Sequence, residues 1–172
     1  AFAQDAKMDT DAYSDFVYEA LKLGEPDPAK YWQNVEKEQD RIVKKLEQYD
    51  KIHVIGEDTD LTLSVKNRPW KNCCGHRNLP DGEVFTSPIE DSINGHIRFT
   101  YPGIYHGKEI KNIYLEFENG KVTKGIAEKG NDLLQSILSI DNADVVGEFA
   151  VGTNYGVSKF TKNMLFDEKM GG

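Results

Sequence analysis

Cysteine is scarce in this sequence: Cys73 and Cys74 are the only two among 172 residues. Neighbouring cysteines cannot close an ordinary unstrained bridge with each other, so disulfides do not staple the chain, and a reducing, cytoplasmic setting is expected. Proline is scarce too, at six residues; with 38% hydrophobic and 29% charged residues this excludes a disordered chain. No window approaches the roughly 18 consecutive apolar residues of a membrane span, so no membrane partner is expected. Positive charge is in deficit. Twenty-one Lys and Arg against 29 Asp and Glu leave −8, without a strong basic cluster, which disfavours nucleic acid as a partner. Also missing are a Gly-x-Ser-x-Gly elbow, a phosphate-binding Gly-x-x-x-x-Gly-Lys loop, a dinucleotide fingerprint and a His-Glu-x-x-His pair. The opening Ala1-Phe2-Ala3-Gln4-Asp5 carries no initiator methionine, basic leader or signal-like apolar run. The length suits one domain with a proper core.

What is present is a change of period along the chain. Tyr13, Phe16, Val17, Ala20 and Leu21 recur at one-turn spacing, with Asp9 or Thr10 as caps and Gly24 beyond, which predicts a helix over about 10–23. Asp27 and Pro28 then suit the cap and first position of a second helix, whose stripe is Tyr31, Val35, Ile42, Leu46 and Tyr49. From Lys51 the period becomes that of strands, in Ile52 and Val54 and again in Leu61, Leu63 and Val65. Residues 67–88 show no sustained period and read as a long irregular loop. Alternation resumes at His96–Tyr101 and Asn112–Glu118, and Asn119-Gly120 before Lys121–Ala127 is a strong hairpin signal. A short helix is expected after Asp132, then an apolar strand at Val145–Val151 and a helix within Ser158–Lys169. These elements define an α+β fold: two N-terminal helices, a mostly antiparallel sheet with an Asn-Gly hairpin, and one or two short packed helices. Residues 1–50 are expected to form a helical lead-in and 51–172 a metal-site β-rich portion, together one compact unit.

Cys73, Cys74 and His76 offer thiolates and an imidazole, the ligand types zinc prefers. Paired zinc cysteines are normally separated by at least two residues, and no second pair exists, so inward-packed thiols that anchor the loop are the expectation. The four histidines, at 53, 76, 96 and 106, are scattered and none begins a His-x-Asp pair. Two carboxylates stand out. Glu83 follows Asn78-Leu79-Pro80-Asp81-Gly82 where a constrained turn enters a strand, and Glu148 interrupts the apolar run Val145–Val151. Burying an ionised carboxylate is costly unless a cation or a full set of donors faces it. A metal ion would meet that need, although alternation also permits Glu148 to point to a polar face.

These motifs carry a resemblance. Asn78–Pro88, Asn94-Gly95, Gly130-Asn131-Asp132, Gly147-Glu148-Phe149-Ala150 and Leu165-Phe166-Asp167-Glu168-Lys169 resemble, in order and spacing, the aminopeptidase T and aminopeptidase S family of metallopeptidases. The segment Met8–Leu23 is similar to that family's middle region. The resemblance implies a cytoplasmic, dimeric enzyme that releases N-terminal residues from peptides. Its cofactors are two neighbouring divalent ions, zinc, cobalt or magnesium, with Glu83 and Glu148 as two of the metal ligands. Such ions together can activate water near neutral pH and polarise the scissile carbonyl. The histidines, tyrosine and His-x-Asp pair that complete the family's site are not found in residues 1–172. The resemblance therefore also implies an excised middle-to-C-terminal module, inactive alone, with peptide bound only by the full-length protein. An alternative from another class is a non-catalytic dimerisation module built on Phe99, Tyr101, Tyr114 and Phe117, and a third is a small-ligand binder in the 67–88 loop.

Overall fold

The structure, a computed structural model, describes residues 2–171. In chain order its elements are helices α1 (Phe2–Asp5), α2 (Thr10–Leu21) and α3 (Pro28–Leu46), followed by strands β1 (Lys51–Gly56), β2 (Thr59–Ser64), β3 (Lys71–Cys73), β4 (Glu83–Thr86) and β5 (Asn94–Arg98). Next come β6 (Gly103–Tyr105), β7 (Lys108–Ile110), β8 (Tyr114–Glu118), β9 (Lys121–Ile126), α4 (Asn131–Leu138), β10 (Phe149–Gly152) and α5 (Met164–Asp167). The fold class is α+β with mostly antiparallel pairing, as the residue periods predict. No helix among the described residues is long and apolar enough to cross a membrane. The chain divides into two compact units, one of Ala1–Gln48, Pro69–Thr86 and Ala150–Gly172 and one of Tyr49–Arg68 and Ser87–Phe149.

In the first unit, Asp9 and Asp27 cap α2 and α3, each accepting a backbone N–H at 2.9 Å. The apolar face of α2 buries Phe16 and Ala20 against Val157, with Tyr13, Val17, Phe166 and Met170 around them. The Phe16 and Phe166 rings lie 5.8 Å apart. Helix α3 behaves differently from its pattern. Its stripe is only partly covered, and its one buried residue is Gln39. The Gln39 amide donates to the carbonyl oxygens of Cys73 at 3.0 Å and Glu83 at 2.7 Å, while Asn72 Nδ2 donates to the Glu36 carbonyl and to Asp40 Oδ1. Polar groups thus fasten α3 to β3 and β4.

The 67–88 segment is not structureless. It contains β3 and β4, which pair antiparallel with Cys73 opposite Glu83 in a three-stranded sheet of order β10-β4-β3. Strands of three and four residues are too short to display a period, which is why the sequence reads as loop. The turn between them is buried from Pro80 to Val84. Gly82 has φ +115°, and an added Cβ would stand 2.9 Å from Asn154 Cβ, so both conformation and space require glycine. Asn154 locks this turn. Its amide donates to the carbonyls of Ala20 at 3.0 Å and Asp81 at 2.8 Å, and its Oδ1 accepts from Gly156 N–H at 2.9 Å.

The second unit is an antiparallel sheet of order β1-β2-β5-β8-β9, with α4 packed against β9 and a small β6-β7 hairpin. Leu61, Leu63 and Val65 alternate inward and join Ile93, Ile110, Phe117 and Leu134 among the buried residues. Asn119 and Gly120, at φ 48° and 84°, form the two-residue turn joining β8 to β9. Two expectations need correction. The Val145–Val151 strand is shortened to Phe149–Gly152, and its early residues are half-buried rather than core. The terminal helix is only Met164–Asp167, held by Asn163 at its start and by Asp167 Oδ1, which accepts from the Thr161 amide at 2.7 Å and hydroxyl at 2.9 Å. Local side-chain caps, rather than a long helix, order that segment.

Substituting Asn154→Ala leaves two buried carbonyls and one amide without their partner, and should lower stability by about 2–4 kcal/mol. Urea denaturation followed by circular dichroism reads this directly; an unchanged midpoint would show that the turn does not depend on it.

Candidate metal centre

Glu83 is the first residue of β4 and is buried, with 4% of its surface exposed. Its backbone is fixed on two sides, by pairing with Cys73 and by the Gln39 amide on its carbonyl oxygen. Its carboxylate receives Lys169 Nζ at 2.9 Å on Oε1. Lys169 is wholly buried, and its ammonium also contacts Glu168 Oε1. Carboxylate oxygens of Glu83 and Glu168 lie within 4.8 Å of each other, gathered about this one cation. Burial alone would lower the Lys169 pKa, but the bonds to Glu168 and Glu83 outweigh it, and the ammonium is held above its ordinary value.

The chain turns Lys169 inward because Asn154 N–H donates to its carbonyl at 2.9 Å and Gly171 N–H donates back to the Asn154 carbonyl at 3.1 Å. Lys169 falls within the Leu165–Lys169 motif of the sequence, yet nothing in composition or period marks it as interior. A lysine is almost never fully buried unless paired. Its partners lie one and eighty-six positions away, so the pairing signal is not local.

Two further groupings surround the buried turn. Cys73, Asp81 and Glu83 bring ligand-type atoms within 4.8 Å of one another. Asp81 is already engaged, its two oxygens accepting the amides of Gly75 at 2.7 Å and Gly82 at 3.0 Å. Glu36, Cys74 and His76 form the other grouping, also within 4.8 Å. Burial, then the charges of Asp81 and Glu83, raise the Cys73 thiol pKa. Burial, then Glu36, Asp81 and Asp40, push that of Cys74 up to about 11.

Glu148 belongs to the second unit and is exposed, one residue before β10. Ser87 Oγ donates to the Gly147 carbonyl at 2.8 Å and fastens the chain at that point. The expectation of an acid interrupting a buried strand therefore gives way to an acid just ahead of a short one. Strand β10 is the neighbour of β4 in the three-stranded sheet. The other histidines have local roles: His53 Nε2 meets Asp60 Oδ1 at 2.8 Å, His96 packs on Tyr114 with rings 5.7 Å apart, and His106 occupies the β6-β7 turn.

Comparison with known proteins agrees with the motif set around these residues. The family model described as thermophilic metalloprotease (M29) matches residues 1–172. The chain belongs to the M29 family. Aminopeptidase AmpS of Bacillus subtilis (strain 168) is 33% identical over 162 residues, covering 87% of this chain and 39% of AmpS. Aminopeptidase T of Thermus aquaticus is 27% identical over 147 residues, covering 78% of this chain and 36% of that protein. Among solved structures, wild-type AmpT from Thermus thermophilus matches with a TM-score of 0.78 at 26% identity, covering 91% of this chain and 42% of that one. The chain thus spans about two fifths of the length of the M29 relatives it matches.

Lys169→Met should destabilise this M29 chain by about 3–5 kcal/mol, because a buried carboxylate loses its cation. Adding Glu83→Gln to that variant should restore most of the loss. Chemical denaturation of the two variants provides the check, and equal stabilities would refute the charge argument.

Proposed function

We propose that this chain is part of a metal-dependent aminopeptidase that hydrolyses N-terminal residues from peptides, with Glu83 and Glu148 as metal-binding carboxylates. The observation that carries the reading is Glu83, an acid kept inside the protein at the head of β4, with the Glu168 carboxylate gathered beside it on the Lys169 ammonium. Membership of a metalloprotease family supports it.

The donor set suits hard divalent cations, which take carboxylate oxygen ligands. A pair of such ions, when bound, supplies the charge that polarises a peptide carbonyl and favours ionisation of water near neutral pH. The chain's own residues prepare for this. Lys169 fixes the orientation of the Glu83 carboxylate by donating to Oε1, and Glu168 balances Lys169 so that the ammonium does not cancel the field of both acids. Gln39 and the Cys73 pairing hold the Glu83 backbone still. Such support is what keeps a ligand in place when the cation exchanges. We further propose that residues 1–172 supply only part of the ligand set and do not turn over peptide alone. The whole protein acts in the cytoplasm as a homodimer.

Expressed in full, the reading frame that contains this chain should release N-terminal residues from short peptides in the presence of zinc, cobalt or magnesium, and a chelator should abolish the activity. Glu83→Gln and Glu148→Gln should each lower kcat/KM by at least about 10- to 100-fold. Full activity in both variants would defeat the assignment.

A further inference from the structure

A second grouping in the first unit has ligands of a different chemical character. Glu36 projects from α3, while Cys74 and His76 flank Gly75 in the turn that follows β3. Gly75, at φ +96°, allows the chain to reverse so that the residues on either side of it face the helix, and its N–H is pinned by Asp81 Oδ2 at 2.7 Å. Cys74 is 5% exposed and forms no disulfide. His76 Nε2 lies 3.2 Å from Glu36 Oε1. A nitrogen and an oxygen sharing one tetrahedral zinc ion stand about 3.4 Å apart, as follows from metal–ligand bonds of about 2.0–2.2 Å. All three ligand-type atoms lie within 4.8 Å of one another, a separation that small side-chain rotations close. Alongside is a hollow of about 320 Å³ walled by Ala29, Trp32, Gln33 and Leu79, so a fourth position stays open to water.

We propose that Glu36, Cys74 and His76 bind a single thiophilic divalent cation, zinc, with water as fourth ligand, clipping the Cys-Gly-His turn to helix α3. The inference is independent of the aminopeptidase reading, since it uses none of the residues assigned there. One thiolate, one imidazole and one carboxylate suit zinc better than magnesium or calcium, which favour oxygen alone. Asp81 and Asp40 add negative charge nearby and increase the local attraction for a cation. On binding, the thiol proton passes to solvent and the sulfur coordinates as thiolate. The proton that His76 Nε2 directs at Glu36 Oε1 moves to Nδ1 or to solvent, so that Nε2 is free to coordinate. The sequence shows Cys74 and His76 as zinc-type ligands, but Cys73-Cys74-Gly75-His76 lacks the spacing of a zinc motif, and the third ligand comes from a helix 38 residues upstream of Cys74.

Cobalt titration of the full chain, reduced and freed of metal by chelator, tests the site without reference to peptidase activity. A saturable 1:1 thiolate-to-cobalt charge-transfer band in the near ultraviolet is expected, displaced by zinc. The band should vanish in Cys74→Ser and persist in Cys73→Ser. Glu36→Gln and His76→Ala should each weaken cobalt binding by at least about 10-fold. Zinc should raise the melting temperature of the wild type and of Cys73→Ser. Absence of a saturable band in the wild type, or its survival in Cys74→Ser, would overturn the proposal. So would wild-type affinity in both Glu36→Gln and His76→Ala; these two positions are more exposed, so they decide the matter even if Cys74→Ser fails to fold.

Discussion

The Lys169 ammonium, held inside the protein between Glu83 and Glu168, is the constraint on which the first unit depends. An unpaired charge at that depth is prohibitive, so each member of the cluster requires the others to be in place. This ties the segment after α5 to the start of β4, across 86 residues of chain, and sets the direction of the Glu83 carboxylate.

Around this point the unit is assembled largely by amides. Gln39, Asn72 and Asn154 together satisfy carbonyls of Cys73, Glu83, Glu36, Ala20 and Asp81, which lie on three separate stretches of sequence. Hydrophobic contact is non-directional and sets proximity. The amides set registry, because each bond requires a particular carbonyl at about 2.9 Å. The turn from Pro80 to Val84 is buried for this reason, although it contains an aspartate and a glutamate. Chemistry gathers on its two sides: carboxylates and the ammonium around Glu83, and thiol, imidazole and carboxylate around Cys74.

Much of the α+β framework is legible in the residue order. The caps at Asp9 and Asp27, the alternation of Leu61, Leu63 and Val65, and the Asn119-Gly120 turn are local signals, and each element appears where they put it. Strands β3 and β4 are not legible, since three or four residues cannot establish a period, and the shortness of α5 is hidden because side-chain caps stop what apolar spacing would continue. Of the site, Glu83 is visible as an acid entering a strand after a constrained turn. Lys169 and Glu36 are invisible, because a charged residue reads as surface until its partner is known.

The sequence by itself determined the number and kind of the longer elements, the helix caps, the hairpin turn and the M29 motifs, all of which arise from interactions between residues a few positions apart. Only the tertiary structure decided that a lysine is interior, that a glutamine is the buried residue of an amphipathic helix, and that Glu36 faces Cys74 and His76. Those outcomes depend on which distant groups satisfy one another's charge and hydrogen-bonding capacity, and that matching has no periodic trace along the chain.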